Sequence, residues 1–196
     1  MKHAVKVIGV LALVSLPAAA GQPSPYSSKE VLTTGHRLAE KIGMPEEKRL
    51  LVENRLSTIL RGPKFQARTG GAPVFGVFAY QMGEGGLIVK VKSGKGVLRF
   101  HDEGDDASLQ MKSVAVGAMV GGSSEWGIGL VTGLEAIDDF GGDYSGDTKN
   151  AAAGSAGAGV TELASKQHFH KVYLIGSASG LTANAGSGKL TIKVGR

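Results

Sequence analysis

Glycine is concentrated in the second part of this chain, and this distribution limits the possible folds more than any other feature. Of the 31 glycines in 196 residues, 24 follow position 71. The helical period of apolar residues disappears in the same region and gives way to short apolar or alternating runs. Glycine within a strand marks bulges, sharp bends or close approaches between backbones. Residues 72–196 are therefore predicted to form a strongly curved β structure.

Eight short runs in this region have the composition of strands, and they are separated by turn clusters at 102–106 and 141–147. No long helical pattern lies between them, so we expect an antiparallel sheet. The fold class is mainly β: a small antiparallel β-barrel or strongly curved sheet with two N-terminal α-helices. Residues 151–159 fit either a loop or a tightly packed strand. The predicted strands are Val74–Tyr80, Leu87–Lys92, Val97–His101, Val114–Val120, Ile128–Thr132, Lys171–Gly176, Gly180–Asn184 and Leu190–Val194.

Residues 21–71 contain the helical signals. Ser27 and Glu30 have the spacing of a capping box, and apolar residues recur at near-helical spacing until Gly43. Pro45 is well placed as the first residue of a second helix, which Gly62 ends. The chain is thus predicted to form two helices followed by a barrel, together one globular domain.

Residues 1–20 have the three-part pattern of a secretory signal. Lys2 and Lys6 precede an apolar run, and three alanines form a cleavage site that predicts a mature chain starting near Gly21. The protein is therefore expected to be periplasmic or secreted, from a bacterium. The chain has no cysteine, which excludes disulfides, cysteine-ligated metals and a lipoprotein anchor.

The glycine-rich segments do not have nucleotide-binding spacing. Gly127–Gly133 contains one residue too many for G-x-G-x-x-G, and Gly188-Lys189 lacks the other residues of a phosphate-binding loop. No G-x-S-x-G segment occurs, and the spacing assembles no triad or carboxylate dyad. We therefore expect a protein that is not an enzyme and has no cofactor.

Two groups of residues are candidate metal ligands. Asp139, Asp143 and Asp147 could collect oxygen ligands for calcium, although their spacing matches neither the EF-hand loop nor the glycine-aspartate β-roll repeat. His168 and His170 would share one face of a strand but lack a local third ligand. A solvated acidic turn and strand-edge histidines are the favoured interpretations, so no metal is expected.

The basic N-terminal region is the remaining candidate site. Residues 21–71 carry nine basic and five acidic side chains, whereas 72–196 carry eleven and twelve. A basic amphipathic helix can place its apolar stripe at an acyl boundary while its cations meet lipid phosphates. Alternatively, the stripe is buried in the protein's own core and the charges are merely solvated. The modest charge excess, the lack of stacking aromatics and the compartment exclude nucleic acid. The candidate lipid-binding residues are Lys48, Arg49, Arg55, Arg61, Lys64 and Arg68.

Several segments in sequence order resemble the SYLF domain, a lipid-binding module of eukaryotic membrane-remodelling proteins and secreted bacterial proteins. They are residues 83–89 (GEGGLIV), 113–122 (SVAVGAMVGG), 134–140 (LEAIDDF), 152–157 (AAGSAG) and 172–181 (VYLIGSASGL). The start of the mature chain, from Tyr26 to Arg37, is also similar to alphaproteobacterial envelope-integrity proteins. Either resemblance implies a small β-barrel with N-terminal helices, an envelope role and no known catalysis. The eukaryotic SYLF proteins imply phosphoinositide binding through a basic amphipathic N-terminal helix.

Two functions follow as expectations. The first is a non-catalytic lipid-binding module of the cell envelope that contacts anionic phospholipid head groups through the basic region. The alternative is a structural envelope protein whose barrel surface binds a protein or glycan partner.

Overall fold

The computed structural model describes residues 25–63, 71–85, 89–101, 104–116, 124–134, 136–146, 160–177 and 188–195. Two α-helices precede eight β-strands, and a short 3-10 helix, Ile137–Phe140, lies between the fourth and fifth strands. The helices are α1 (Ser28–Lys41) and α2 (Glu46–Arg61). The strands are β1 (Val74–Gly85), β2 (Val89–Phe100), β3 (Ala107–Val116), β4 (Ser124–Thr132), β5 (Gly142–Gly146), β6 (Val160–Ser165), β7 (Lys171–Gly176) and β8 (Gly188–Gly195).

The strands form a closed barrel in the order β1-β2-β3-β8-β5-β6-β7-β4. Each pair of neighbours is antiparallel, including β1 with β4, which completes the ring. The predicted fold class, a small antiparallel barrel with two N-terminal helices, is therefore confirmed.

The second strand is longer than predicted. Two strands were expected, on either side of Ser93-Gly94-Lys95-Gly96, but β2 runs without interruption through this segment. The two glycines face β1, where a β-carbon at Gly94 would overlap Met82 and one at Gly96 would approach the Ala79 carbonyl. These glycines therefore allow two backbones to come close together, and they do not form a turn.

The fifth and sixth strands were not predicted. Residues 141–147 were expected to form a turn, yet β5 lies within them and pairs with β8 at five positions, from Gly142 with Ile192 to Gly146 with Gly188. β6 also lies outside the predicted runs. The predicted strand Gly180–Asn184 and the ambiguous segment 151–159 lie outside the described residues.

The interior of the barrel is filled by apolar side chains from all around the ring. Inward-facing glycines on β4 provide room for aromatic rings of β1: Gly127 faces Tyr80 and Gly129 faces Phe78. The largest interior side chains include Phe78, Tyr80, Leu98, Leu109, Phe140 and Tyr144, all less than 3% exposed.

A second apolar cluster lies between the helices and the outer wall of the barrel. Helix residues such as Leu38, Val52 and Leu56 pack there against outward-facing side chains of β1, β4 and β7. Gly35 lies close to Ile128 and Leu56, which explains a glycine in the middle of a helix. Most of the helical apolar stripe is therefore buried inside the protein, as the alternative interpretation of the basic helix anticipated.

The helix ends agree with the capping pattern. The Ser27 hydroxyl accepts a hydrogen bond from the Glu30 amide, and the Glu30 carboxylate accepts one from the Ser27 amide. The predicted capping box is thus confirmed. Pro45 is the N-cap of α2 and not its first helical residue.

A carboxylate on the barrel attaches α1. The Asp106 side chain is 3% exposed and pairs with Arg37 and Lys41 of α1 and with Arg99 of β2. Arg37 contacts both carboxylate oxygens, at 2.8 and 3.0 Å. These cations hold the pKa of Asp106 well below its usual range, the Arg37 hydrogen bonds being the largest cause. We call this group the Asp106 cluster.

Candidate functional site

The six basic residues proposed from the sequence fall into three groups in the structure. Lys48 and Arg61 reach the surface of α2. Arg49 and Arg55 are engaged within the protein. Lys64 and Arg68 lie outside the described residues.

Arg49 joins the two helices. Its side chain is only 18% exposed, its Nη1 donates to Glu40 Oε1 at 2.5 Å, and its Nε lies 3.9 Å from Glu53 Oε1. His36 Nδ1 lies 2.8 Å from the same Glu53 oxygen. Since its charge faces two carboxylates, Arg49 serves mainly to hold α2 against α1.

Arg55 attaches α2 to the barrel. Its guanidinium donates to the carbonyl oxygen of Gly176, at the end of β7. Burial of this residue is intermediate. Among the described candidates, Arg61 is exposed and Lys48 is partly exposed, with its Nζ 3.4 Å from the exposed Glu47 carboxylate.

Two leucines lie on the same exposed surface. Leu50 is 51% exposed and Leu51 is 38% exposed, whereas most large apolar side chains described in the protein are buried. Arg61 is three helical turns after Leu50, and Lys48 is three residues before Leu51, so each leucine has a cation in its own row along α2. The two rows point about 100° apart, and the exposed Glu47 lies between them. We call Lys48, Leu50, Leu51 and Arg61 the α2 face. Among the described residues, no helix is both long enough and apolar enough to cross a bilayer.

A polar network that the sequence did not reveal lies inside the barrel. Glu125 is 4% exposed; it accepts a hydrogen bond from the Tyr80 hydroxyl at 3.2 Å and pairs with Lys92 Nζ at 3.0 Å. Burial and the neighbouring carboxylate raise the pKa of Tyr80, which keeps its hydroxyl protonated as a donor. The partners are separated by 33 and 45 positions in the chain, and only barrel closure brings them together.

The histidines considered as metal ligands have other partners. His170 is 1% exposed, its Nε2 lies 2.7 Å from the Tyr144 hydroxyl, and that hydroxyl lies 2.6 Å from the Phe140 carbonyl oxygen. His168 is exposed and stacks on the His170 ring, with centroids 5.7 Å apart. Both belong to the connection before β7 and not to a strand. Burial, followed by His168, lowers the pKa of His170 to about 4.

The acidic candidates are also separate. Asp143 accepts a hydrogen bond from Thr191 and pairs with Lys189 at 2.8 Å, while Asp139 belongs to the 3-10 helix. Asp147 lies outside the described residues. Within the described part of the chain, no group of three or more acidic or histidine side chains could hold a metal ion.

The fold thus defines an eight-stranded, closed antiparallel barrel with a helix hairpin packed on its outer wall. A search of solved structures found a β-barrel-like, uncharacterised protein from Brucella abortus, with a TM-score of 0.54 and 20% sequence identity. The match covers 86% of this chain and 94% of that one. It shows a shared fold, in line with the expected resemblance to alphaproteobacterial barrel proteins.

Family models and curated proteins give no further assignment. No family model matches the chain. No curated protein matches it either. The SYLF resemblance therefore remains an expectation.

Proposed function

We propose that this protein is a non-catalytic, extracytoplasmic barrel that binds anionic phospholipid surfaces through the α2 face. The observation that carries the proposal is the adjacent pair of exposed leucines on α2, each with a cation in its own helical row, Leu50 with Arg61 and Leu51 with Lys48. Apolar side chains can enter the acyl boundary of a membrane while neighbouring cations remain with the phosphates.

The packing of the barrel supports a surface role. In its described part, the interior is occupied by aromatic and aliphatic side chains, so a lipid is better received on the outside of the protein. The signal pattern at 1–20 and the SYLF resemblance agree with such a role in the envelope.

The test is co-flotation of residues 21–196 with neutral vesicles and with vesicles containing phosphatidylglycerol or cardiolipin. We expect flotation with the anionic vesicles only, weakening as salt is raised, because screening reduces the attraction of cations to phosphates. Absence of flotation under every condition would overturn the proposal and favour a protein or glycan partner on the barrel surface.

Variants can separate the two parts of the α2 face. Leu50→Gln/Leu51→Gln should abolish flotation at every salt concentration, and Lys48→Gln/Arg61→Gln should weaken it most at low salt. The matched control is Lys95→Gln/Lys112→Gln, which removes two charges from exposed positions on β2 and β3. If this control weakens flotation as strongly as Lys48→Gln/Arg61→Gln, binding depends on net charge and not on the α2 face.

Arg49 and Arg55 should not be changed in this test. Arg49→Gln removes the ion pairs with Glu40 and Glu53, and Arg55→Gln removes the hydrogen bond to Gly176. Either variant would lose binding through a loosened helix hairpin, which a measurement of unfolding would reveal.

A further inference from the structure

The connection between β6 and β7 ends in an aromatic side chain with unusual exposure. Phe169 is fully exposed, whereas Leu50 and Leu51 of α2 are 51% and 38% exposed. Residues 166–168 before it are exposed as well, whereas His170 after it is buried. The connection is therefore a projecting turn with a phenyl ring near its end.

Hydrogen bonds hold the backbone of this turn. The Ser165 hydroxyl accepts from the amides of Gln167 at 3.3 Å and His168 at 3.1 Å. The Ser165 amide donates to the His170 carbonyl, and the Lys166 amide donates to the Asp143 carbonyl. The turn is thus attached to β5 and to the start of β7, so that Phe169 projects from a fixed base.

The charges around the ring favour an anionic partner. Lys166 and His168 are exposed within the turn, and Lys171 follows it. Three carboxylates lie around the turn: Glu162 is 2.8 Å from Lys171, Asp143 is 2.8 Å from Lys189 and also attracts Lys166, and Asp139 acts on His170. The turn therefore presents an apolar ring next to the exposed Lys166 and His168, and the lysines around it keep their side chains at the surface.

The turn belongs to the same side of the barrel as α2. β7 starts two residues after Phe169, and its outward-facing Tyr173 and Ile175 pack beneath the helices. Arg55 of α2 contacts Gly176 at the other end of that strand. A strand of this length spans about 20 Å, so Phe169 and the Arg55 contact lie roughly one strand length apart along β7.

We propose that Phe169 is a second contact with the anionic phospholipid surface, with its ring placed at the acyl boundary and the neighbouring cations at the phosphates. This inference rests on the proposed function and adds a contact site to it. Contacts from two separate elements, α2 and the turn before β7, restrict the orientation of the barrel on the membrane more than a single helix does.

The test compares vesicle partitioning of Phe169→Ala with that of Gln167→Ala, a matched change in the same exposed turn. We expect Phe169→Ala to partition about tenfold more weakly than the wild type, because it loses the transfer free energy of one aromatic side chain. Gln167→Ala should partition like the wild type. Phe169→Trp should restore binding. Thermal unfolding should stay at the wild-type temperature for all three variants, because the side chains are exposed.

Because the chain contains no cysteine, a single probe can be placed beside the ring. Gln167→Cys labelled with the fluorophore NBD should shift to shorter emission wavelengths on anionic vesicles and be quenched by lipids spin-labelled near the head group. The shift should disappear when Phe169→Ala is added.

The outcomes separate this inference from the proposed function. If the wild type floats, requires the leucines of α2 and is unaffected by Phe169→Ala, the second contact is refuted and the lipid-binding function stands. If the wild type does not float with any vesicle, both are refuted.

Discussion

Gly127 and Gly129 occupy inward-facing positions of β4, opposite the rings of Tyr80 and Phe78 on β1. At either position a methyl group would collide with an aromatic ring, and at Gly127 also with the Ile175 carbonyl. A closed barrel with several large aromatics inside requires such positions, since a packed interior has no spare volume.

We therefore expect Gly129→Ala to destabilise the protein by about 2 to 3 kcal/mol, because Phe78 has to leave its rotamer or the strands have to separate. The measurement is urea unfolding. Gly83→Ala is the control, since Gly83 is also in a strand but has open space around its β position, and it should change stability by less than about 0.5 kcal/mol. Phe78→Leu should partly restore the stability that Gly129→Ala removes. If Gly129→Ala does not destabilise the protein and Phe78→Leu gives no rescue, Gly129 does not provide room for the Phe78 ring.

His170 makes stability depend on pH. Its pKa is lowered from 6.5 to about 4 in the folded state, so the unfolded chain takes up the proton first as the pH falls. The stability from neutral His170 is therefore complete above pH 6.5 and is lost progressively towards pH 4.

We expect the wild type to lose about 2 to 3 kcal/mol through this group across that interval. His170→Gln keeps a donor for Tyr144 but does not titrate, so its stability should change less with pH. His168→Gln should keep most of the pH dependence, because burial, the larger cause of the lowered pKa of His170, is unchanged. The measurement is denaturant unfolding at pH 4 to 8. If the free energies of unfolding of His170→Gln and the wild type change in parallel with pH, His170 does not cause the pH dependence.

At the level of secondary-structure elements, the helix hairpin depends on polar attachments at the edges of its apolar contact. The Asp106 cluster joins α1 to β2 and to the start of β3, and Arg55 joins α2 to β7. Apolar packing provides most of the free energy of association, while these directed bonds fix where the helices lie.

Asp106→Asn should lower the free energy of unfolding by about 1 to 2 kcal/mol at pH 7, because three cations lose their carboxylate partner but two of them remain largely solvated. Asp105→Asn, the exposed neighbour, should have little effect. The difference should disappear as the pH falls well below 3.8, since the lowered pKa of Asp106 means that its contribution is lost only when the carboxylate is protonated. The measurement is unfolding in urea, because a guanidinium salt would screen the ion pairs.

The elements differ in how well the sequence predicted them. The helices were predictable because their signals are local: a capping box, a glycine stop and an apolar stripe. β5 was missed because Gly142, Asp143 and Ser145 have turn-like composition, and only Tyr144 points into the core. β2 was divided in two because a sequence cannot show that Gly94 faces another backbone.

The candidate site also depends on contacts between distant segments, which the sequence does not show. The basic character of α2 was visible in the sequence, but the internal partners of Arg49 and Arg55 come from other elements. The interior pairing of Glu125 with Lys92 also depends on strand register, which alternation alone does not specify. The exposure of Phe169 had no sequence signal, since an apolar residue between two histidines is equally compatible with a strand.

At the level of the whole molecule, the described fold begins downstream of the signal pattern, with α1 starting at Ser28. When residues 1–196 are expressed in a bacterial host, we expect the mature protein in the periplasm to begin near Gly21. N-terminal sequencing and intact mass measure this directly. Ala18→Leu/Ala20→Leu should block processing, and recovery of the wild type with Lys2 still present would contradict the prediction.

The position of β8 in the ring determines when the barrel can form. β8 lies between β3 and β5, so the ring has a gap until residues 188–195 are available. A ribosome therefore releases most of this chain before its native core can close, and pairings between distant segments slow folding further. For the export proposed from the signal pattern, late closure keeps the chain in the unfolded state that a translocation channel accepts, and we expect resistance to proteases only after passage.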